Sequence, residues 1–251
     1  DYLNGFLQPL AQKWGSFVDG GLLQQWQLPD VPNQQNFYTE QVDRYLKGGE
    51  DRRVFVVISD ALRYEVAQEL SESLNGKYRF AAELSSQLGV LPSYTKLGMA
   101  SLLPHKSLSY TDTGLVQVDG LSSDGLEARN KILSSVNGLA LRAEDFLTMN
   151  KTDGRELIKP YRVIYIYHNK IDAVGDTAST ESSTFSACRD AIEELESIVS
   201  RIINNLNGHR VLVTADHGFL FQDSALEALD KSKLVTKPSG AVVSKKRYLI
   251  G

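Results

Sequence analysis

Three uninterrupted apolar runs constrain this chain more than anything else in it: Val54-Phe55-Val56-Val57-Ile58, Val163-Ile164-Tyr165-Ile166-Tyr167 and Val211-Leu212-Val213. Their residues are mainly β-branched or aromatic, and no polar residue alternates with them. Such a run reads as a strand covered on both faces, which is the condition of a parallel sheet. The intervening segments support this. The first run is succeeded at once by a helical pattern from Ala61 to Leu74. The second leads through a loop into a long helix at about 182–206, with Ile192, Leu195, Ile198, Val199 and Ile202 on one stripe. The third comes after Asn207-Gly208. Strand, loop, helix, strand is the grammar of βαβ units, so the expected class is α/β, three layers with a largely parallel central sheet flanked by helices. Residues 37–47 carry helical spacing that Gly48-Gly49 stops. Residues 105–160 are less regular, with a short strand candidate at Leu115–Val118 and a helix candidate at Leu126–Val136. Residues 1–28 read as an amphipathic lead-in, joined on by the turn-rich Leu28–Asn33 connector.

Composition removes several classes of function. At 251 residues, 42% hydrophobic and 23% charged, the chain can bury a sizeable core as one large domain. Its net charge of −4 argues against an electrostatic grip on nucleic acid, although Lys245-Lys246-Arg247 is a local basic run. The single cysteine, Cys188, excludes an internal disulfide and fits a reducing cytoplasm; its place on a helix stripe reads as a small buried apolar residue. No apolar run approaches the roughly 20 residues needed to cross a bilayer, and residues 1–30 lack a signal-peptide layout, so no membrane role is expected. The chain starts at Asp1 and reads as a segment of a longer protein.

Ligands of open α/β sheets bind beyond the carboxyl ends of the strands. The three buried strands end in Ser59-Asp60, in His168-Asn169-Lys170-Ile171-Asp172 and in Asp216-His217-Gly218. One aspartate at a strand end is commonplace, because it can cap the next helix. Metal-capable groups at three strand ends together are much harder to dismiss. An aspartate oxygen beside a histidine nitrogen suits zinc or manganese better than calcium. A fourth element, Leu91-Pro92-Ser93-Tyr94-Thr95, opens an apolar helix near Thr95. A hydroxyl there is either an N-cap or, next to a metal, a nucleophile.

Val57-Ile58-Ser59-Asp60-Ala61-Leu62-Arg63-Tyr64-Glu65, Leu91-Pro92-Ser93-Tyr94-Thr95 and Thr214-Ala215-Asp216-His217-Gly218-Phe219, in this order, resemble the alkaline phosphatase superfamily. Within it they look like the PglZ domain of BREX-type bacterial phage-defence systems. The resemblance covers 37–251 as one domain and leaves 1–36 as the lead-in segment. It implies two metal sites flanking a nucleophile. Asp60, Asp216 and His217 match the ligands of one metal, with Thr95 bridging as the nucleophile. Asp172 matches the first ligand of the other, but four residues on stands Asp176 instead of histidine, and no histidine comes after His217. Asp172 with Asp176 suits magnesium or manganese, and His168 is an alternative ligand near that loop. Arg63 and Lys96 are weaker candidates for contacting phosphate oxygens.

The implied function is a metal-dependent phosphohydrolase of mono- or diesters in phage defence, using one or two divalent ions (Zn, Mn or Mg). Its implied partners are a phosphoester substrate, nucleotide or nucleic acid among the possibilities, and other phage-defence proteins in the cytoplasm. The alternative is a catalytically weak metal-binding interaction module within such a complex.

Overall fold

The first two apolar runs form strands with every residue buried: β1 (Val54–Ser59) here and, later in the chain, Val163–His168. The computed structural model describes residues 3–77, 80–175, 183–221, 239–245 and 248–250. In chain order the main helices are α1 (Gln8–Phe17), α2 (Tyr64–Lys77), α3 (Thr95–Ser101), α4 (Gly125–Leu133), α5 (Ala143–Thr148), α6 (Lys151–Ile158), α7 (Ile171–Gly175) and α8 (Thr184–Leu206). The further strands are β2 (Leu108–Tyr110), β3 (Val116–Val118), β4 (Leu121–Ser122), β5 (Gly138–Arg142), β6 (Val163–His168), β7 (Val211–Thr214), β8 (Val243–Ser244) and β9 (Leu249–Ile250).

The central sheet has the order β5-β6-β1-β7 and is parallel throughout. Alternation splits its side chains between two cores. Val54, Val56, Ile58, Tyr165 and Tyr167 face α3, α4 and the small antiparallel sheet β2-β3-β4. Phe55, Val57, Ile164 and Ile166 face α2, α5, α6 and α8. Each such side chain, fully buried, contributes about 1.5–3 kcal/mol. This is a three-layer α/β architecture. No helix of the described residues is long and apolar enough to cross a membrane.

Three details depart from the sequence pattern. The third run, expected to be covered on both faces, forms β7 with every residue only half-buried. Strand β5 leaves no mark in that pattern, because Gly138-Leu139-Ala140-Leu141 has no β-branched residue and lies at the edge of the sheet. The helix expected from Ala61 starts instead at Tyr64. Ala61 has φ 62°, a left-handed conformation that cannot continue into a helix, so a tight turn (Leu62 N–H to the Ser59 carbonyl, 3.3 Å) intervenes. Asp60 is therefore no helix cap. Cys188 is buried on α8.

The parallel order brings all strand ends to one edge. From β6 the chain continues to β7 on the other side of β1, so β1 marks the point where the connections diverge. A crevice opens at such a point in an α/β sheet, and Asp60 stands there.

Candidate metal centre

Backbone contacts at the strand ends position each polar side chain. The Asp60 N–H donates to the His168 carbonyl (2.9 Å), which ties the end of β1 to that of β6. The Ala61 N–H, aimed by its left-handed turn, donates to Asp216 Oδ1 (3.2 Å) and links β1 to the end of β7. Helix α3 presses against the same place: a Cβ on Gly98 would lie 2.3 Å from the Asp216 carbonyl oxygen, so only glycine lets the helix sit this close. Tyr165 Oη donates to the Leu102 carbonyl (2.7 Å) and fixes the far end of α3. Thr95, the first residue of α3, is thereby held over the strand ends.

The groups that meet there are three carboxylates, an imidazole and a hydroxyl. Asp60, Asp172 and His217 each offer a ligand atom within 4.8 Å of the others. His217 Nε2 lies 3.4 Å from both Asp60 Oδ1 and Asp216 Oδ2, and 2.9 Å from Thr95 Oγ1. The other ring nitrogen of His217 is 2.9 Å from the Gly218 carbonyl. A carbonyl only accepts, so Nδ1 carries the proton there and Nε2 presents its lone pair to the cluster. The Thr95 hydroxyl donates to that lone pair.

This arrangement fits a divalent cation. Asp60 is 5% exposed and Asp216 1%, and Asp60 Oδ1 and Asp216 Oδ2 are buried with no hydrogen bond. Buried carboxylate oxygens left without partners are costly, and a cation is what satisfies them. Burial, then the negative charges of Asp216 and Asp172, push Asp60 up to about 8, with the Arg129 guanidinium opposing. Burial also raises Asp216. One nitrogen among carboxylates is a donor set for zinc or manganese, with magnesium on the oxygen side.

Other candidates fall elsewhere. Asp176 lies outside the described residues. His168 is 2% exposed with both ring nitrogens engaged, Nδ1 with Ser59 Oγ (2.9 Å) and Nε2 with Glu194 (3.2 Å), so it is a packed histidine on the α8 side of the sheet. Arg63 pairs with Glu65 (2.6 Å) and lies over the Phe219 ring, and Lys96 pairs with Asp124 (3.0 Å).

Two contributors carry no signal in the sequence. Gln34, 2% exposed, donates from Nε2 to the Ala215 and Asp216 carbonyls (2.9 and 2.8 Å) and accepts from the Val90 N–H (3.0 Å), bracing the Asp216 segment. Arg129 on α4 lies over the Tyr167 ring at 4.4 Å and is felt electrostatically by Asp60. Nothing local marks a glutamine just after a turn-rich connector or an arginine on an amphipathic helix; only the tertiary fold delivers them.

Residues 37–251 match the family described as the BREX system PglZ alkaline phosphatase-like domain. The chain belongs to this PglZ family. It is 50% identical over 253 residues to the alkaline phosphatase-like protein BrxZ of Escherichia coli O9:H4 (strain HS), an alignment covering 100% of this chain and 29% of BrxZ. It is 38% identical over 234 residues to the alkaline phosphatase-like protein PglZ of Bacillus cereus (strain H3081.97), covering 92% of this chain and 27% of that protein. The chain thus spans less than a third of the length of these curated relatives.

The raised Asp60 gives this PglZ domain a defined pH response. Its native pKa of about 8 exceeds the ordinary 3.8, so between these values the metal-free native state binds more protons than the unfolded state. Stability from this group is therefore present at low pH and lost as pH rises toward 8. A divalent ion replaces that proton, so its stabilising effect should grow over the same window. Thermal unfolding at pH 5.5 and 8, with chelator and with manganese, should show a larger ion-induced rise in Tm at pH 8. An equal rise at both values would mean that Asp60 is already ionised at pH 5.5.

Proposed function

We propose that this PglZ domain is a metal-dependent phosphoester hydrolase acting in phage defence, with Thr95 as its nucleophile. The observation that carries the reading is the Thr95 hydroxyl, 2.9 Å from His217 Nε2 within a cluster of buried, cation-demanding carboxylates. Asp60, Asp216 and His217 would hold one divalent ion, and Asp172, with Asp176, would contribute to a second. When bound, such an ion lowers the pKa of a neighbouring hydroxyl and offsets charge on phosphoryl oxygens. Thr95 loses its proton to solvent, and its oxygen forms a bond to phosphorus as the ester oxygen departs with the bonding pair. Water then cleaves the phosphothreonine, restoring the hydroxyl and releasing phosphate or a monoester. Helix α3, seated on Asp216 through Gly98, keeps the attacking oxygen in place. The match to a BREX family supports work alongside other proteins of such a system, and a cytoplasmic location is part of the same proposal.

The test is direct. Chelated protein receives p-nitrophenyl phosphate or bis(p-nitrophenyl) phosphate, with zinc, manganese or magnesium added singly. Turnover that depends on an added ion is expected, with millimolar manganese or magnesium more effective than zinc if Asp172 and Asp176 share the second ion. Turnover indifferent to chelation would defeat the reading.

A further inference from the structure

Behind the metal centre, on the other face of the sheet, the fold buries a second polar cluster that the hydrolase chemistry leaves unused. Strands β1 and β6 end in register partners, Ser59 and His168, both buried. Alternate residues of a strand share a face, so these two side chains lie with Phe55, Val57, Ile164 and Ile166, toward α8. The next residue after Ser59, Asp60, turns the other way and meets His217.

The cluster is a directed chain of hydrogen bonds. His168 Nε2 lies 3.2 Å from Glu194 Oε2 on α8, and a carboxylate only accepts, so Nε2 carries the proton. Nδ1 is then the acceptor, and Ser59 Oγ donates to it at 2.9 Å. The other oxygen of Glu194 accepts from Lys170 Nζ at 2.6 Å. Burial holds the imidazole below its ordinary pKa, with Glu194 opposing, so the neutral tautomer is the one built in.

Two of these residues reach the metal ligands through the backbone. The His168 carbonyl accepts from the Asp60 N–H (2.9 Å). Lys170 immediately precedes α7, whose first residue, Ile171, is buried and whose second is Asp172. Glu194 thus holds, from one helix, both ends of the short segment 168–170 that joins the anchor of Asp60 to Asp172. An apolar pair in place of Ser59 and His168 would suit a sheet face otherwise made of Phe, Val and Ile. Buried polar groups are costly unless paired, and even paired they return little stability. A chain of them ending at the strand tips fixes a geometry that apolar packing leaves loose. Partners standing behind ligands in this way orient them toward a cation.

We propose that His168, held between Ser59 and Glu194, is a positioning residue of the metal centre, fixing the spacing of Asp60 and Asp172 at which a divalent ion binds. This rests on the cation-binding reading of the cluster and adds the residues that tune it.

The experiment titrates manganese into chelator-treated protein by calorimetry, at a temperature where the melting curve of each variant shows it folded. Glu194 is half-exposed, so Glu194→Ala should fold, and it should bind manganese about tenfold more weakly than wild type. Glu194→Gln should recover most of that loss, because an amide oxygen still accepts from His168 Nε2 without carrying charge. Ser59→Ala, which alters no charge, should weaken binding by a similar factor to Glu194→Ala. A loss in Glu194→Gln as large as in Glu194→Ala would assign the effect to charge alone and overturn the proposal. Variants that melt lower without the ion yet bind it with wild-type affinity would overturn it too, as the mark of a merely structural cluster. A wild type that takes up no divalent ion would remove the metal centre and this inference with it. Tight binding by the wild type, unchanged in all three variants, would remove the inference alone.

Discussion

Thr95→Ala should lose at least about a thousandfold in phosphoester turnover while keeping its fold and its bound ion. Removal of a covalent nucleophile commonly costs this much or more, since the remaining groups have no protein oxygen to transfer the phosphoryl group to. The fold should survive because Thr95 Oγ1 makes its contact with His217, at the surface of the cluster, whereas α3 is anchored by buried Leu97, Gly98, Met99 and Ala100. Thr95→Ser keeps the oxygen and should retain part of the rate. Ser93→Ala, outside the helix, should be mild. Turnover of an activated ester by the three variants, with mass spectrometry of acid-quenched protein, reads the outcome: phosphate on the peptide containing Thr95 in the wild type and none in Thr95→Ala. Undiminished turnover in Thr95→Ala would overturn the mechanism. A protein that binds its ion tightly and turns over no ester would instead support a metal-stabilised interaction module within a phage-defence assembly.

How much of this was legible in the sequence depends on whether a residue's role is set by its neighbours in the chain or by the fold. Strands β1 and β6 announced themselves because burial on both faces demands apolar residues at every position, and Val54–Ile58 and Val163–Tyr167 supply them without interruption. Asp60, Asp172 and Asp216-His217 could be placed on one edge for the same reason: the strands of a parallel sheet all deliver their C-terminal loops to the same side. The start of α3 at Thr95 is encoded by Pro92 and the apolar run beyond it. Strand β5 stayed hidden because an edge strand of Leu and Ala needs neither β-branching nor full apolarity. The turn at Ala61 could not be seen, since nothing in alanine signals a positive φ; the conformation aims the Ala61 N–H at Asp216, a residue distant in the chain. Gln34 and Arg129 owe their placement wholly to tertiary packing. The Tyr94–Tyr248 stack joins residues 154 positions apart, a contact no local pattern encodes.

Asp216→Asn should separate the cost of the centre from its purpose. In the metal-free protein Asp60 and Asp216 are buried together, burial and mutual repulsion raising the Asp60 carboxyl to about 8. Asparagine keeps an oxygen to accept from the Ala61 N–H, which Asp216 Oδ1 now does at 3.2 Å, but removes a negative charge from the cluster. The chelated variant should therefore melt no lower than the chelated wild type, and higher at pH 8, where the wild-type pair is under most strain to ionise. With a divalent ion the order should reverse. An ion held at about 100 times its dissociation constant stabilises the native state by about 2.7 kcal/mol, and for a chain of this size that corresponds to roughly 5–10 °C in Tm. The wild type should show that rise and the variant at most about 1–2 °C by the same conversion, because a neutral amide is a far weaker ligand for a hard cation. Differential scanning calorimetry of both proteins, with chelator and with manganese, gives all four values. An undiminished ion-induced rise in Asp216→Asn would take Asp216 out of the ligand set and leave Asp60, Asp172 and His217 as the centre. A chelated variant that melts well below the wild type would show instead that the carboxylate is kept for its hold on the Ala61 turn.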